Sequence, residues 1–278
     1  MTSGPGGRHR RRGWTLLAAL VLAAGCGNGR DAAPAGQGPA SSATAPAPPT
    51  TVAAVSRSCL SAAEQGRVVR FRTGTGATLA GVALGAGRAG VVLGHQLGSD
   101  LCEWVPLARA FASRGYQVLA FDFAGFGDSE PGSGDDRIDT DVVAAAQQLR
   151  RRGADRIVLV GSSMGGTAVL SAATRVRPPV AGVVRLSGPS SFGGVDATAA
   201  MRRLRVPVLL VVGADDQQFA AQARTLYGAA RVRDKQLLVV PGGGHGTSLL
   251  EFGDQAPRVL TAVRKFIDDR TTGERKGR

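Results

Sequence analysis

A chain that cleaves bonds by nucleophilic attack needs a poised hydroxyl or thiol, a base to take its proton and an acid to orient that base. The hydroxyl candidate is Ser163 in Gly161-Ser162-Ser163-Met164-Gly165, which follows the apolar run RIVLV and precedes the helical stretch TAVLSAA. A sharp strand-to-helix turn there would expose the serine Oγ, and the flanking glycines would let backbones approach closely. The start of the helix would favour developing negative charge. The base must come from three histidines, of which His9 lies in a segment that reads as an export signal. His245 stands in PGGGHG, directly after the apolar run QLLVV, so a glycine-rich loop can carry its imidazole to Ser163. His95 follows an earlier strand, where the neighbouring backbone is better placed to donate hydrogen bonds than the ring is to act as base. The acid should follow the strand between serine and histidine, and VPVLLVVGADDQQF offers both Asp215 and Asp216. Either can hold the imidazolium while staying ionised.

These groups meet only if strand ends bring them to one edge. From about residue 57 to 270 short β-branched runs alternate with helical patterns. The spacing predicts a hairpin of 68–72 and 78–84 around Gly74-Thr75-Gly76, then strands at 90–94, 118–121, 157–160, 180–186, 206–212 and 237–240. Helices are expected at 104–114, 139–152, 163–175, 219–230 and 256–269, with one short helix around 195–204. Continuously apolar strands such as VPVLLVV indicate a parallel sheet covered on both faces. The alternation implies an α/β doubly wound sheet with function at the carboxyl ends of its strands.

The stretch 94–129, GHQLGSDLCEWVPLARAFASRGYQVLAFDFAGFGDS, together with the serine turn, resembles the α/β-hydrolase family of serine-esterase type. The likeness spans about 210 residues, and the order Ser163, Asp, His245 is the order seen in that family. It implies the α/β-hydrolase fold, an acyl-enzyme acting on ester or thioester bonds, and no cofactor or metal. It favours Asp216, three residues after Gly213, over Asp215 as the acid. It also implies an oxyanion hole made by the Met164 amide and the Leu97 amide, with Gln96 as the alternative donor. Gln96 departs from the family's usual glycine. By the same likeness His95 is structural, and Asp122 and Ser129 fix turns. Only about 20 residues separate Leu186 from Val206, so no large cap domain is expected and the cleft should be open. Loops around Leu97, Trp104 and Ser187–Phe192 are expected to line the pocket for a small-molecule or lipid-like ester. Acyltransferases and peptidases use the same three groups, and a surface lipoprotein could keep the fold as a binding module without turnover.

Of 278 residues, 34 are Lys or Arg against 21 Asp or Glu, a formal charge of +13. Four of the arginines, Arg8, Arg10, Arg11 and Arg12, precede the apolar run Trp14 to Gly25, which is too short for a membrane span and reads as an export signal over residues 1–25. The run ends LAAGC, which resembles a bacterial lipobox and marks Cys26 for lipidation, with Ala23 where leucine is commoner. Residues 26–56, rich in Ala, Pro, Gly, Ser and Thr, bury too little to fold and read as a tether. The basic end 271–278 reads as a disordered tail. The expected location is the cell envelope, anchored to the membrane through Cys26, or secreted if the signal is an ordinary one. Cys59 and Cys102 then remain as an even pair that an oxidising compartment would tend to join. The remaining arginines are scattered with little aromatic interleaving, aromatics being 5 % of the chain, so no nucleic-acid partner is expected.

Overall fold

The computed structural model describes residues 57–134 and 137–271; the expected signal, Cys26, the tether and residues 272–278 lie outside the described residues. The strands are β1 (Val68–Arg72), β2 (Thr78–Leu84), β3 (Ala89–Gly94), β4 (Gln117–Phe121), β5 (Arg156–Ser162), β6 (Gly182–Leu186), β7 (Ser191–Phe192), β8 (Val195–Asp196), β9 (Val208–Gly213) and β10 (Lys235–Val240). The helices are α1 (Ala62–Gln65), α2 (Val105–Ala112), α3 (Ile138–Arg151), α4 (Met164–Ala173), α5 (Ala197–Arg203), α6 (Gln217–Ala229), α7 (Ser248–Glu251) and α8 (Ala256–Thr271). A 3-10 turn, Leu101–Trp104, leads into α2.

Eight strands form one sheet in the order β1-β2-β4-β3-β5-β6-β9-β10. β2 pairs antiparallel with both neighbours, while β4, β3, β5, β6, β9 and β10 run parallel. The chain fills one side of the sheet through β4 and the other from β5 onward, so the order reverses at β3 and β5. The carboxyl ends at such a reversal leave a crevice.

Alternation along each buried strand feeds two cores. In β5, Leu159 joins Val142, Leu149, Ala168, Leu170, Met201 and Leu226 under α3 to α6. Its neighbours Val158 and Val160 join Trp104, Phe111, Val259, Val263 and Phe266 under α2 and α8 on the other face. α3 shows why a helix forms there: Val142, Ala145, Ala146 and Leu149 make one buried stripe, with Asp139 and Asp141 in the first turn and Arg150 and Arg151 in the last. Several strands start one or two residues before the apolar run, at Ala89, Gln117, Arg156 and Lys235, because sheet pairing extends past hydrophobicity. β9 instead starts after Pro207, which has no N–H to give a ladder. The link between β6 and β9 holds only the β7–β8 hairpin and α5. The last helix runs two residues beyond its expected end, since Thr271 is buried and its hydroxyl donates to the Ile267 carbonyl at 2.7 Å. Among the described residues no helix is long and apolar enough to cross a membrane.

The start of the described chain is fastened to the sheet's carboxyl edge. Cys59 and Cys102 form a disulfide. Beside it the Arg57 guanidinium reaches Asp100 at 3.0 Å, Asp122 at 2.5 Å and Asp128 at 2.6 Å. Closing a loop with a sequence separation of 43 contributes about 4 kcal/mol in the chain-entropy model. Replacing both cysteines by serine should therefore lower unfolding free energy by about 2–4 kcal/mol in urea titrations. An unchanged urea midpoint would mean that the bond is not formed in the folded protein.

Candidate active site

β5 ends in a backbone geometry that serine rarely adopts. Ser163 has φ +47° and ψ −111°, and its amide donates to the Leu186 carbonyl at 2.9 Å. Such a residue costs of order 1–3 kcal/mol and persists only where its surroundings fix it. The flanking glycines show how. A Cβ at Gly161 would collide with the Gly165 carbonyl, and one at Gly165 with the Gly94 carbonyl, so α4 packs against β5 and β3 only because both side chains are missing. The Gly165 amide adds a hydrogen bond to the His95 carbonyl at 3.2 Å.

At this turn three side chains form one chain of hydrogen bonds. Ser163 Oγ lies 2.7 Å from His245 Nε2, and His245 Nδ1 lies 2.8 Å from Asp216 Oδ2. The distances fit the tautomer in which Nδ1–H donates to the carboxylate and Nε2 accepts from the serine hydroxyl. Asp216 sits just after β9, where α6 begins, and Asp215 beside it is exposed. His245 is carried by the loop after β10, which Ser248 pins by accepting from the His245 amide at 2.7 Å and donating to its carbonyl at 2.8 Å. The Phe219 ring, in the first turn of α6, lies 4.5 Å from the imidazole.

The loop after β3 faces the turn. His95 is wholly buried, with Nδ1 2.9 Å from the Gln96 carbonyl and Nε2 accepting the Phe123 amide at 3.0 Å. Asp122 accepts the Leu101 and Asp128 amides, and Ser129 links the Asp122 carbonyl to the Ala80 amide, so both tie turns together. Of the two loop amides, Gln96 N–H is taken by Glu103 Oε1 at 3.1 Å, whereas Leu97 N–H has no partner among the described residues. Met164 opens α4, where an amide has no carbonyl within its own helix to bond. Among the described residues the Leu97 amide and the Met164 amide at the head of α4 are thus left without a backbone partner.

One expectation is corrected. Trp104 is fully buried in the core, and the cavity of about 220 Å³ that it borders with Glu103, Leu107, Thr247, Leu250 and Arg264 does not include Ser163 or His245 in its lining. Three supporting residues carried no clear sequence signal, namely Phe219, Ser248 and Glu103. A fourth did, because Arg185 interrupts the apolar strand GVVRL. Its buried guanidinium donates to the Gly188 and Pro189 carbonyls, and burial pulls it down to about 9. It thereby fixes the loop whose Gly188 lies too close to the Ser163 carbonyl to bear a side chain. Among the described residues no group of three His, Cys, Asp or Glu could hold a metal ion.

Burial pulls His95 down to about 4, and a proton on Nε2 would face the Phe123 N–H. The unfolded ring takes its proton near 6.5 and the folded one near 4, so this contribution to stability is full above pH 6.5 and is lost as pH falls toward 4. NMR titration should show a neutral His95 ring down to about pH 4. A ring titrating at the ordinary value would contradict the buried geometry.

Comparison with known proteins bears on the architecture. The family model described as alpha/beta hydrolase fold matches residues 90–201, from β3 through the serine turn into α5. An uncharacterized protein of Mycobacterium tuberculosis is 29% identical over 206 residues, covering 66% of this chain and 71% of the relative. Among solved structures, the Pyrococcus furiosus esterase Pf2001 is similar with a TM-score of 0.61 at 18% identity, covering 74% of this chain and 91% of that one. The esterase RhEst1 from Rhodococcus sp. ECU1013 is similar with a TM-score of 0.61 at 17% identity, covering 73% and 99%. With the strand order and the serine turn between β5 and α4, these likenesses establish that the chain has the α/β-hydrolase fold.

Proposed function

We propose that the protein is a serine hydrolase that cleaves carboxylic ester or thioester bonds through an acyl-enzyme. The observation that carries this reading is the continuous hydrogen-bonded chain from Ser163 Oγ through His245 to Asp216. Ser163 Oγ attacks the acyl carbon while His245 Nε2 takes its proton, and Asp216 stabilises the imidazolium without itself being protonated. The oxygen that gains negative charge accepts from the Met164 and Leu97 amides at the positive end of α4. The intermediate collapses with the alcohol or thiol leaving on the proton from His245. Water then attacks the acyl group, gives a proton to His245, and frees Ser163 as the carboxylic acid departs.

Two solved neighbours are themselves named as esterases, which supports this class over a peptidase or acyltransferase. The short β6–β9 link supports an open cleft for a small-molecule or lipid-like ester. The proposed setting is the cell envelope, with Cys26 lipidated and the tether letting the domain stand off the membrane. Cys26→Ser should then move the protein from the membrane to the soluble fraction, and retention of the variant on membranes would remove lipidation from the reading.

A fluorophosphonate serine probe tests the chemistry directly. The parent should take the label, and Ser163→Ala should take none. Asp216→Asn should lower kcat by about 10³-fold or more, and Asp215→Asn by less than about threefold. A parent that resists the label, or label retained by Ser163→Ala, would refute Ser163 as nucleophile.

A further inference from the structure

The two amides assigned to the oxyanion lie on different elements, Leu97 on the loop after β3 and Met164 at the head of α4. Their separation has to be held to within a fraction of an ångström to be useful. One side chain touches the backbone or side chain directly preceding each part. Glu103, on the 3-10 turn Leu101–Trp104, accepts with the same Oε1 from the Gln96 amide at 3.1 Å and from the Ser162 hydroxyl at 2.7 Å. Gln96 precedes Leu97, and Ser162 precedes the Ser163–Met164 turn.

The 3-10 turn is itself a fixed support. Asp122 accepts the Leu101 amide at 2.8 Å, Asp100 accepts the Cys102 amide at 2.7 Å, and the disulfide ties Cys102 to Cys59. The Gln96 side chain fills the space where Gly246, the residue after His245, would carry a Cβ, and Ser162 borders the same space. Loop, nucleophile turn and histidine loop therefore meet above Glu103. A buried carboxyl is costly unless its hydrogen bonds repay it, and burial pushes this one up to about 7.

We propose that Glu103 is a positioning residue, whose carboxylate clamps the loop after β3 to the end of β5 and so sets the distance between the Leu97 and Met164 amides. It touches no reacting atom. The inference rests on the hydrolase reading above.

The test compares Glu103→Ala, Glu103→Gln and Ser162→Ala with the parent, using a short-chain p-nitrophenyl ester, phenylboronic acid as a tetrahedral mimic, and amide hydrogen exchange at Gln96. Losing an oxyanion donor outright costs about 10² to 10³ in kcat, so a donor merely displaced in Glu103→Ala should cost about 10-fold or more. KM should stay within about threefold, since the bound ester does not yet carry the charge. Boronate inhibition should weaken in parallel, and the Gln96 amide should exchange faster. Glu103→Gln keeps an acceptor oxygen and should recover most of the rate. A Glu103→Ala enzyme whose kcat, boronate affinity and Gln96 exchange stay within about twofold of the parent overturns the proposal. If that variant fails to fold, Ser162→Ala decides, with a several-fold fall in kcat expected and an unchanged kcat overturning it. A parent that takes no fluorophosphonate and hydrolyses no ester overturns the hydrolase reading, and this inference with it. A labelled parent with unaffected variants overturns this inference alone.

Discussion

The strained backbone of Ser163 is the constraint around which the rest of the molecule is arranged. A residue at φ +47° stays there only if leaving costs more than staying. Here the cost of leaving is set by backbone-on-backbone packing, with Gly165 pressed against the Gly94 carbonyl and Gly161 against Gly165 itself. Because β3, β5 and β6 all contribute to that contact, the sheet must have the strand order it has for the turn to exist. The same packing sets the hydroxyl within reach of an imidazole delivered from β10, four strand positions away from β3.

Around that turn the interior is unusually polar for its depth. His95 and Arg185 bond to backbone groups of the loops beside Ser163, and Glu103 bonds to the Gln96 amide and the Ser162 hydroxyl. An apolar residue in any of these places would leave the loop groups it now bonds without that partner. All three are held away from their ordinary titration range in the direction that burial dictates, His95 and Arg185 downward and Glu103 upward. The effects of His95 and Glu103 on stability run in opposite senses with pH. The domain thus avoids concentrating the whole burden of buried charge at one end of the pH scale.

Strand positions were legible because burial on both faces leaves an unmistakable run of Val, Leu and Ile, as in β5 and β9. Their first residues were not, since Gln117, Arg156 and Lys235 pair through backbone atoms that side-chain hydropathy does not report. Ser163 and His245 could be found by motif and elimination, and the choice of Asp216 over Asp215 came from likeness rather than from the residues. The structure brings Asp216 to the imidazole and leaves Asp215 exposed. Glu103 and Phe219 were invisible for a common reason. Glu103 reaches Ser162 and Phe219 reaches His245 across a large sequence separation, from a short turn or a helix start, where residue type says nothing about direction. Trp104 differs for the opposite reason: a large aromatic beside the loop suits a core as well as a cleft by residue type, and the structure places it in the core.

The disulfide has a mechanical consequence. β1 is an edge strand, paired on one side only, and an edge strand pulled from its end would peel from β2 one rung at a time. Tension arriving along the chain from residues before 57 does not reach β1, because Cys59 lies upstream of Val68 and hands the load covalently to Cys102. Arg57 shares the load through its ion pairs with three carboxylates. The force path ends one residue from Glu103, so the staple that spares the sheet from unzipping also ends where traction would first be felt as a displaced loop.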